Sequence, residues 1–224
     1  MQLDHLVLAA RTLADGVAWC EATLGIVPGP GGEHAFMGTH NRLFGIVSAA
    51  FPRAYFEIIA IDPKARAPGH PRWFDLDDPS LQRALAGGPQ LIHWVARCDD
   101  IHAAVADLRA AGIDRGEVLP AERATPRGML RWQISLRSDG QRLIGGALPT
   151  LIQWDGVHPA DTMPPSGVAL THVIVRGLPA AATAMLPAGV QLEAAGPPLS
   201  VTLSTPRGPI TLNSPPHEAT HVQQ

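Results

Sequence analysis

Three short apolar runs share one design: "LDHLVLA" at 3–9, "LIHWVAR" at 91–97 and "LTHVIVR" at 170–176. Each reads as a strand with one histidine inside it: His5, His93 or His172. The chain after each run also repeats. Beyond His5, Thr12 with Asp15 resembles a capping box, and Leu13, Val17, Cys20 and Leu24 follow at helical spacing before Gly25. Beyond His93, Asp99 or Asp100 caps a helix with the face Ile101, Val105 and Leu108, closed by Gly112. Beyond His172, a shorter helix over 181–186 ends before Gly189. The histidine-to-glycine separations are 20, 19 and 17 residues, and glycine suits the left-handed turn that ends a helix.

Strand-like runs follow each helix. They lie at 35–37, 43–47 and 55–61, then at 129–136, 141–144 and 150–154, and last at 199–204 and 210–212. The pattern predicts β-α-β-β-β units over 1–62 and 89–156, and a shortened third unit over 169–224. Pro-rich links occupy 63–88 and 157–168, and a helical stretch at 81–85 falls in the first. One such unit covers only one face of its small sheet with its helix, so the other face must meet a second copy. The expected fold is therefore α+β: tandem βαβββ modules forming a cupped mixed sheet. The third module either packs on an open edge or mediates a homodimer.

Strand alternation places Leu3, His5, Val7 and Ala9 on one face, and Asp4, Leu6 and Leu8 on the other. Paired units bring His5 and His93 toward each other across the cup. A divalent metal needs that convergence plus oxygen ligands. Glu57 interrupts the apolar last strand of unit one ("YFEIIAID"), where a carboxylate is costly to bury unless paired, protonated or bound to a cation. Gln153 holds the matching place in "LPTLIQWD". His172 has no matching oxygen ligand and reads as a structural echo, while His158 reads as link. "GTHNRL" sets His40 and Asn41 at the cup edge, as a turn or as a pair that bonds substrate or relays a proton. In "ERATPRGMLRW", Arg123 or Arg131 suits a substrate carboxylate, whereas Arg127 reads as a solvated turn residue. Trp132 and Trp154 fit a pocket wall or core.

This framework resembles the vicinal oxygen chelate superfamily. "LDHLVLAA", "GTHNRLFGI", "YFEIIAIDP", "RATPRGMLRWQI" and "LPTLIQWDGVHP" are similar to its glyoxalase-like subgroup. The resemblance implies one divalent ion in the cup (Zn, Mn, Fe, Ni or Co), held by His5, Glu57, His93 and Gln153. Gln153 departs from the commoner glutamate and brings no charge. The implied activity is a metal-dependent lyase, isomerase or dioxygenase acting on a small oxygenated substrate. Glu57 moves the proton in the lyase and isomerase cases, with His40 as a second catalytic candidate and Asn41, Arg123 and Arg131 as substrate contacts. The alternative is a metal-free binding protein of the bleomycin-resistance type.

Composition adds exclusions. A net charge of −3 gives no broad electrostatic reason to bind nucleic acid or an anionic membrane. Two cysteines, Cys20 and Cys98, make no disulfide framework and read as buried apolar groups, so a reducing cytoplasm is the expected compartment. No apolar run approaches the ~18 residues of a membrane span.

Overall fold

The computed structural model describes residues 1–126 and 128–216; Arg127 lies outside them. The first unit runs β1 (Gln2–Ala9), α1 (Leu13–Thr23), β2 (Glu33–His34), β3 (Thr39–Gly45) and β4 (Tyr55–Ile61). Thr12 caps α1 by accepting from the Asp15 N–H, as the sequence predicts. The link carries α2 (Pro79–Leu85). The second unit runs β5 (Gln90–Arg97), α3 (Ile101–Ala110), β6 (Glu117–Thr125), β7 (Gly128–Leu136) and β8 (Thr150–Asp155). The third runs β9 (Ala169–Arg176), α4 (Ala180–Thr183), β10 (Val190–Glu193), β11 (Leu199–Thr205) and β12 (Gly208–Asn213).

Units one and two join in one eight-stranded sheet, ordered β2-β3-β4-β1-β5-β8-β7-β6. Each unit contributes the same internal order, and β1 and β5 pair antiparallel at the seam. The sheet is mixed and curls into a cup. Its strands depart from the expected runs in both units: 35–37, expected as a strand, forms the turn between β2 and β3. β6 occupies a stretch expected to be connection, and 141–144 forms a turn ending in a 3₁₀ segment at Ile144–Gly146. β6 is an edge strand, where Pro120 and alternating exposure are tolerated because one side needs no ladder partner.

Two apolar layers flank the large sheet. On the outer layer, Leu6, Leu8, Phe56, Ile58, Trp94 and Ala96 pack with Cys20 and Leu24 of α1 and Ile101, Val105 and Leu108 of α3. The third unit joins this same layer through Leu170, Val173, Val175, Leu199, Val201 and Leu203. Its four strands form a separate sheet, ordered β10-β9-β11-β12, so its pairing differs from that of the other two units. The module thus packs by its face rather than along an edge. Both cysteines are buried and unpaired; burial raises the thiols to about 12 at Cys20 and about 11 at Cys98. Among the described residues no helix is long and apolar enough to cross a membrane.

The inner, cup-side layer holds Val7, Ala9, Ile59, Ile92, Val95, Trp132, Ile134 and Ile152. Part of the cup is filled by the chain itself. Trp73, Phe74 and Leu76 of the first link, with Leu81 and Leu85 of α2, pack into this layer. Phe74 and Asp75 take left-handed backbone angles to do so, with φ of 59° and 58°.

Candidate functional site

β-bulges decide which polar side chains meet. In the β1–β5 ladder Leu3 faces Ala96 and His5 faces Val95, which leaves Asp4 as an extra residue. The bulge turns Asp4 onto the same face as His5, against the simple alternation expected from the sequence. Asp4 Oδ1 then lies 2.7 Å from His5 Nδ1. Its Oδ2 accepts from Trp154 Nε1 at 3.0 Å and pairs with His158 Nε2 at 2.9 Å. Burial alone would raise this carboxyl; hydrogen bonds from His158 and His5 outweigh it and hold Asp4 well below the usual carboxylate range. An ionised Asp4 needs all three partners as donors, so His5 carries its proton on Nδ1 and presents Nε2 to the cup.

His5 Nε2 stands 3.6 Å from Glu57 Oε2. The other oxygen, Glu57 Oε1, accepts from Asn41 Nδ2 at 2.6 Å. Asn41 Oδ1 in turn accepts from the Gly32 N–H at 2.8 Å and from Arg123 Nη1 at 3.2 Å. Gly31 and Gly32 are required here by close approach. A Cβ on Gly31 would fall 2.3 Å from Asn41 Oδ1, and one on Gly32 the same distance from Arg123 Nη1. A continuous polar chain thus runs Arg123–Asn41–Glu57–His5–Asp4–His158. Tyr55 stacks on the His5 ring with centroids 4.6 Å apart. His34 backs Asn41, its Nε2 3.4 Å from Asn41 Nδ2 and its Nδ1 3.1 Å from the Thr39 hydroxyl. Burial, with the nearby Arg123 charge, pushes the His34 imidazole down to about 3.

The other expected site residues lie elsewhere. His93 is fully buried; Nδ1 pairs with the Gly146 carbonyl at 3.2 Å, and Nε2 accepts from the Thr150 N–H at 3.1 Å. Phe74 covers its ring at 5.1 Å, and burial, then Arg115 and Arg142, holds His93 well below the usual imidazole range. Gln153 faces α3, where its Oε1 accepts the Ile101 N–H at 2.9 Å. His40 alternates to the opposite face of β3 from Asn41, and its Nδ1 is 3.9 Å from Asp62. Arg131 pairs with Glu122 at 3.2 Å on the exposed hairpin, where both line the open cleft beside Trp154. His172 is exposed on the outer face of the second sheet. Of the metal set, only His5 and Glu57 come together. With both His93 nitrogens engaged and Gln153 turned to a helix terminus, the donor set does not fit a four-ligand ion. Among the described residues no group of three or more His, Cys, Asp or Glu is gathered for a metal.

Asp4, Tyr55, His34 and His158 escaped the sequence reading. His158 belongs to the site and not to the link alone; its signal was "HP" opening a 3₁₀ turn at Pro159–Thr162, where the histidine acts as cap. An open cleft of ≈ 730 Å³ adjoins the polar chain through Trp154, which lines it and donates to Asp4.

A family model described as a glyoxalase-like domain matches residues 3–189. Among solved structures, a hypothetical protein from Staphylococcus aureus shares 17% identity and a TM-score of 0.51, covering 95% of this chain and 85% of that one. Methylmalonyl-CoA epimerase from Streptomyces coelicolor, in complex with 2-nitronate-propionyl-CoA, shares 20% identity and a TM-score of 0.43, covering 70% and 97%. The epimerase from Mycobacterium tuberculosis shares 16% and a TM-score of 0.39, covering 70% and 88%. No functionally curated protein matches.

Proposed function

The chain belongs to the glyoxalase-like domain family of the vicinal oxygen chelate superfamily, and from that premise we propose that its cup binds a small oxygenated molecule and moves a proton on it, as an isomerase or lyase does. The observation that carries this reading is His5 held between two buried carboxylates, Asp4 at 2.7 Å and Glu57 at 3.6 Å. Asp4 fixes the His5 tautomer. Asn41 ties up one Glu57 oxygen and leaves the other for a ligand proton. Glu57 Oε2 takes a proton from a carbon next to a carbonyl; the C–H electron pair becomes the C=C bond of an enolate and the carbonyl π pair moves onto the oxygen, which Arg123 stabilises. Returned to the same carbon, from Glu57 or from His5 Nε2 after transfer across the gap, the proton completes an epimerisation; returned to the former carbonyl carbon, while the adjacent hydroxyl passes its proton to the enolate oxygen, it completes an isomerisation.

A second reading, a binding protein without turnover, draws on the internal satisfaction of these groups: His5, Asn41 and Glu57 are each only 5% exposed. One experiment separates the two. A panel of small 2-hydroxy and 2-oxo carbonyl compounds is incubated with the protein in deuterated buffer and followed by proton NMR. The proposal expects loss of a C–H signal beside the carbonyl, slowed ~10²-fold or more in Glu57→Gln. Binding without exchange across the panel, or Glu57→Gln exchanging at the wild-type rate, supports the binder instead. Metal analysis of untagged protein, before and after chelation, shows whether either behaviour tracks an ion.

A further inference from the structure

Strand register shows what unit two lacks. Glu57 pairs with Val7, two residues beyond His5, and Thr150 pairs with Val95, two residues beyond His93. The residues that follow agree. Ile58 and Leu151 both join the outer layer, and Ile59 and Ile152 both join the inner one. Thr150 is therefore the counterpart of Glu57. The histidines match as well: Nε2 of His5 is 3.6 Å from Glu57 Oε2, and Nε2 of His93 is 3.0 Å from the Thr150 hydroxyl. Unit one puts a carboxylate beside its histidine, and unit two puts a shorter, neutral side chain there.

A guanidinium reaches the same place. Arg115 is 2% exposed, and its Nη2 donates to the Thr150 hydroxyl. Its Nε and Nη1 are buried with no partner among the described residues. The carboxylates whose charge it feels, Asp114 and Asp139, pair instead with Arg137 at 3.5 and 2.5 Å. Arg142, which acts on the same histidine, is paired with Asp75 at 2.8 Å. Burial pushes Arg115 down to about 10, which leaves it charged at neutral pH. A buried cation with no counter-charge costs several kcal/mol, and buried donors are ordinarily met by a protein group, a water or an ion.

We infer that a small monovalent anion of the halide class binds against Arg115 Nε and Nη1 beside Thr150, and supplies in unit two the negative charge that Glu57 supplies in unit one. A threonine is shorter than a glutamate, so the exchange that removes the charge also gives up volume where the ion would sit. The burial of Arg115 admits an ion of that size and excludes a bulky organic acid. The inference stands apart from the proton-transfer reading, because His93 and Thr150 take no part in it.

The test follows the thermal midpoint of the full chain at constant ionic strength while gluconate, too large for a buried seat, is exchanged for chloride or bromide. Either halide should raise the midpoint by about 2–4 °C at about five times its dissociation constant. Arg115→Met, which removes the charge and keeps an apolar stem, should lose that rise. Anomalous diffraction from wild-type crystals grown in bromide should place an ion in contact with Arg115 Nε or Nη1, and this measurement decides the matter if the variant does not fold. A midpoint equal in halide and gluconate, a rise that survives in Arg115→Met, or bromide found only at the protein surface overturns the inference.

Discussion

At the scale of single residues, Asp4 organises the site. It sits at the extra position of a bulge and accepts from His5, His158 and Trp154 at once. Asp4→Asn keeps the shape but supplies two donors where three donors already point. We expect it to lose about 3–5 kcal/mol in urea denaturation, the usual consequence of breaking a buried charged network. His34 gives a pH dependence. Its imidazole is held down to about 3, whereas an unfolded histidine titrates near 6.5. Below that pH the unfolded chain takes a proton that the folded chain refuses. Stability from this group is therefore complete above about 6.5 and falls as the pH drops, by about 2 kcal/mol at pH 5. Urea midpoints at pH 7.5 and 5 should differ less in His34→Gln than in the wild type. His5 and Glu57 were legible because each breaks an apolar strand. Asp4 was not, because strict alternation puts it on the wrong face and only the ladder register reveals the bulge. His93 carried the same sequence signal as His5, yet it serves as a core histidine satisfied by Gly146 and Thr150.

At the scale of elements, close packing overrides local propensity. Gly16 lies inside α1, where alanine would ordinarily favour the helix. A Cβ there would stand 2.4 Å from Ile58 Cγ2 and 3.2 Å from Ala10 Cβ. Gly16→Ala should therefore destabilise, by about 1–3 kcal/mol as an overpacking change, seen as a lowered thermal midpoint. Phe74→Ala should cost about 3–5 kcal/mol, since it empties the link's seat over His93. The helices and first strands were readable from period and caps. β6 was not, because Pro120, Glu122 and Arg123 give it the composition of a link, and its strand character comes from pairing with β7 along 117–125.

At the scale of the whole molecule, the three units share one outer core layer, with Phe44, Ile46 and Phe51 of the first packed in the same cluster as Leu170, Val173 and Val201 of the third. Leu170 N–H also donates to the Ile46 carbonyl at 3.0 Å. The third sheet should not melt alone: far-ultraviolet circular dichroism and tryptophan fluorescence are expected to trace one coincident transition. A chain ending at residue 157 should be insoluble, because it bares that layer. The pairing of units one and two followed from their repeat. The seat of the third did not, since its apolar stripe predicts only that something covers it.

The aromatic segment lodged over His93 has one more effect. A duplicated frame offers a guest two berths related by a half-turn, and with both vacant the guest could enter head-first or tail-first. Phe74 takes one berth permanently, so whatever enters meets a left side unlike its right, and the molecule can tell the two ends of its visitor apart.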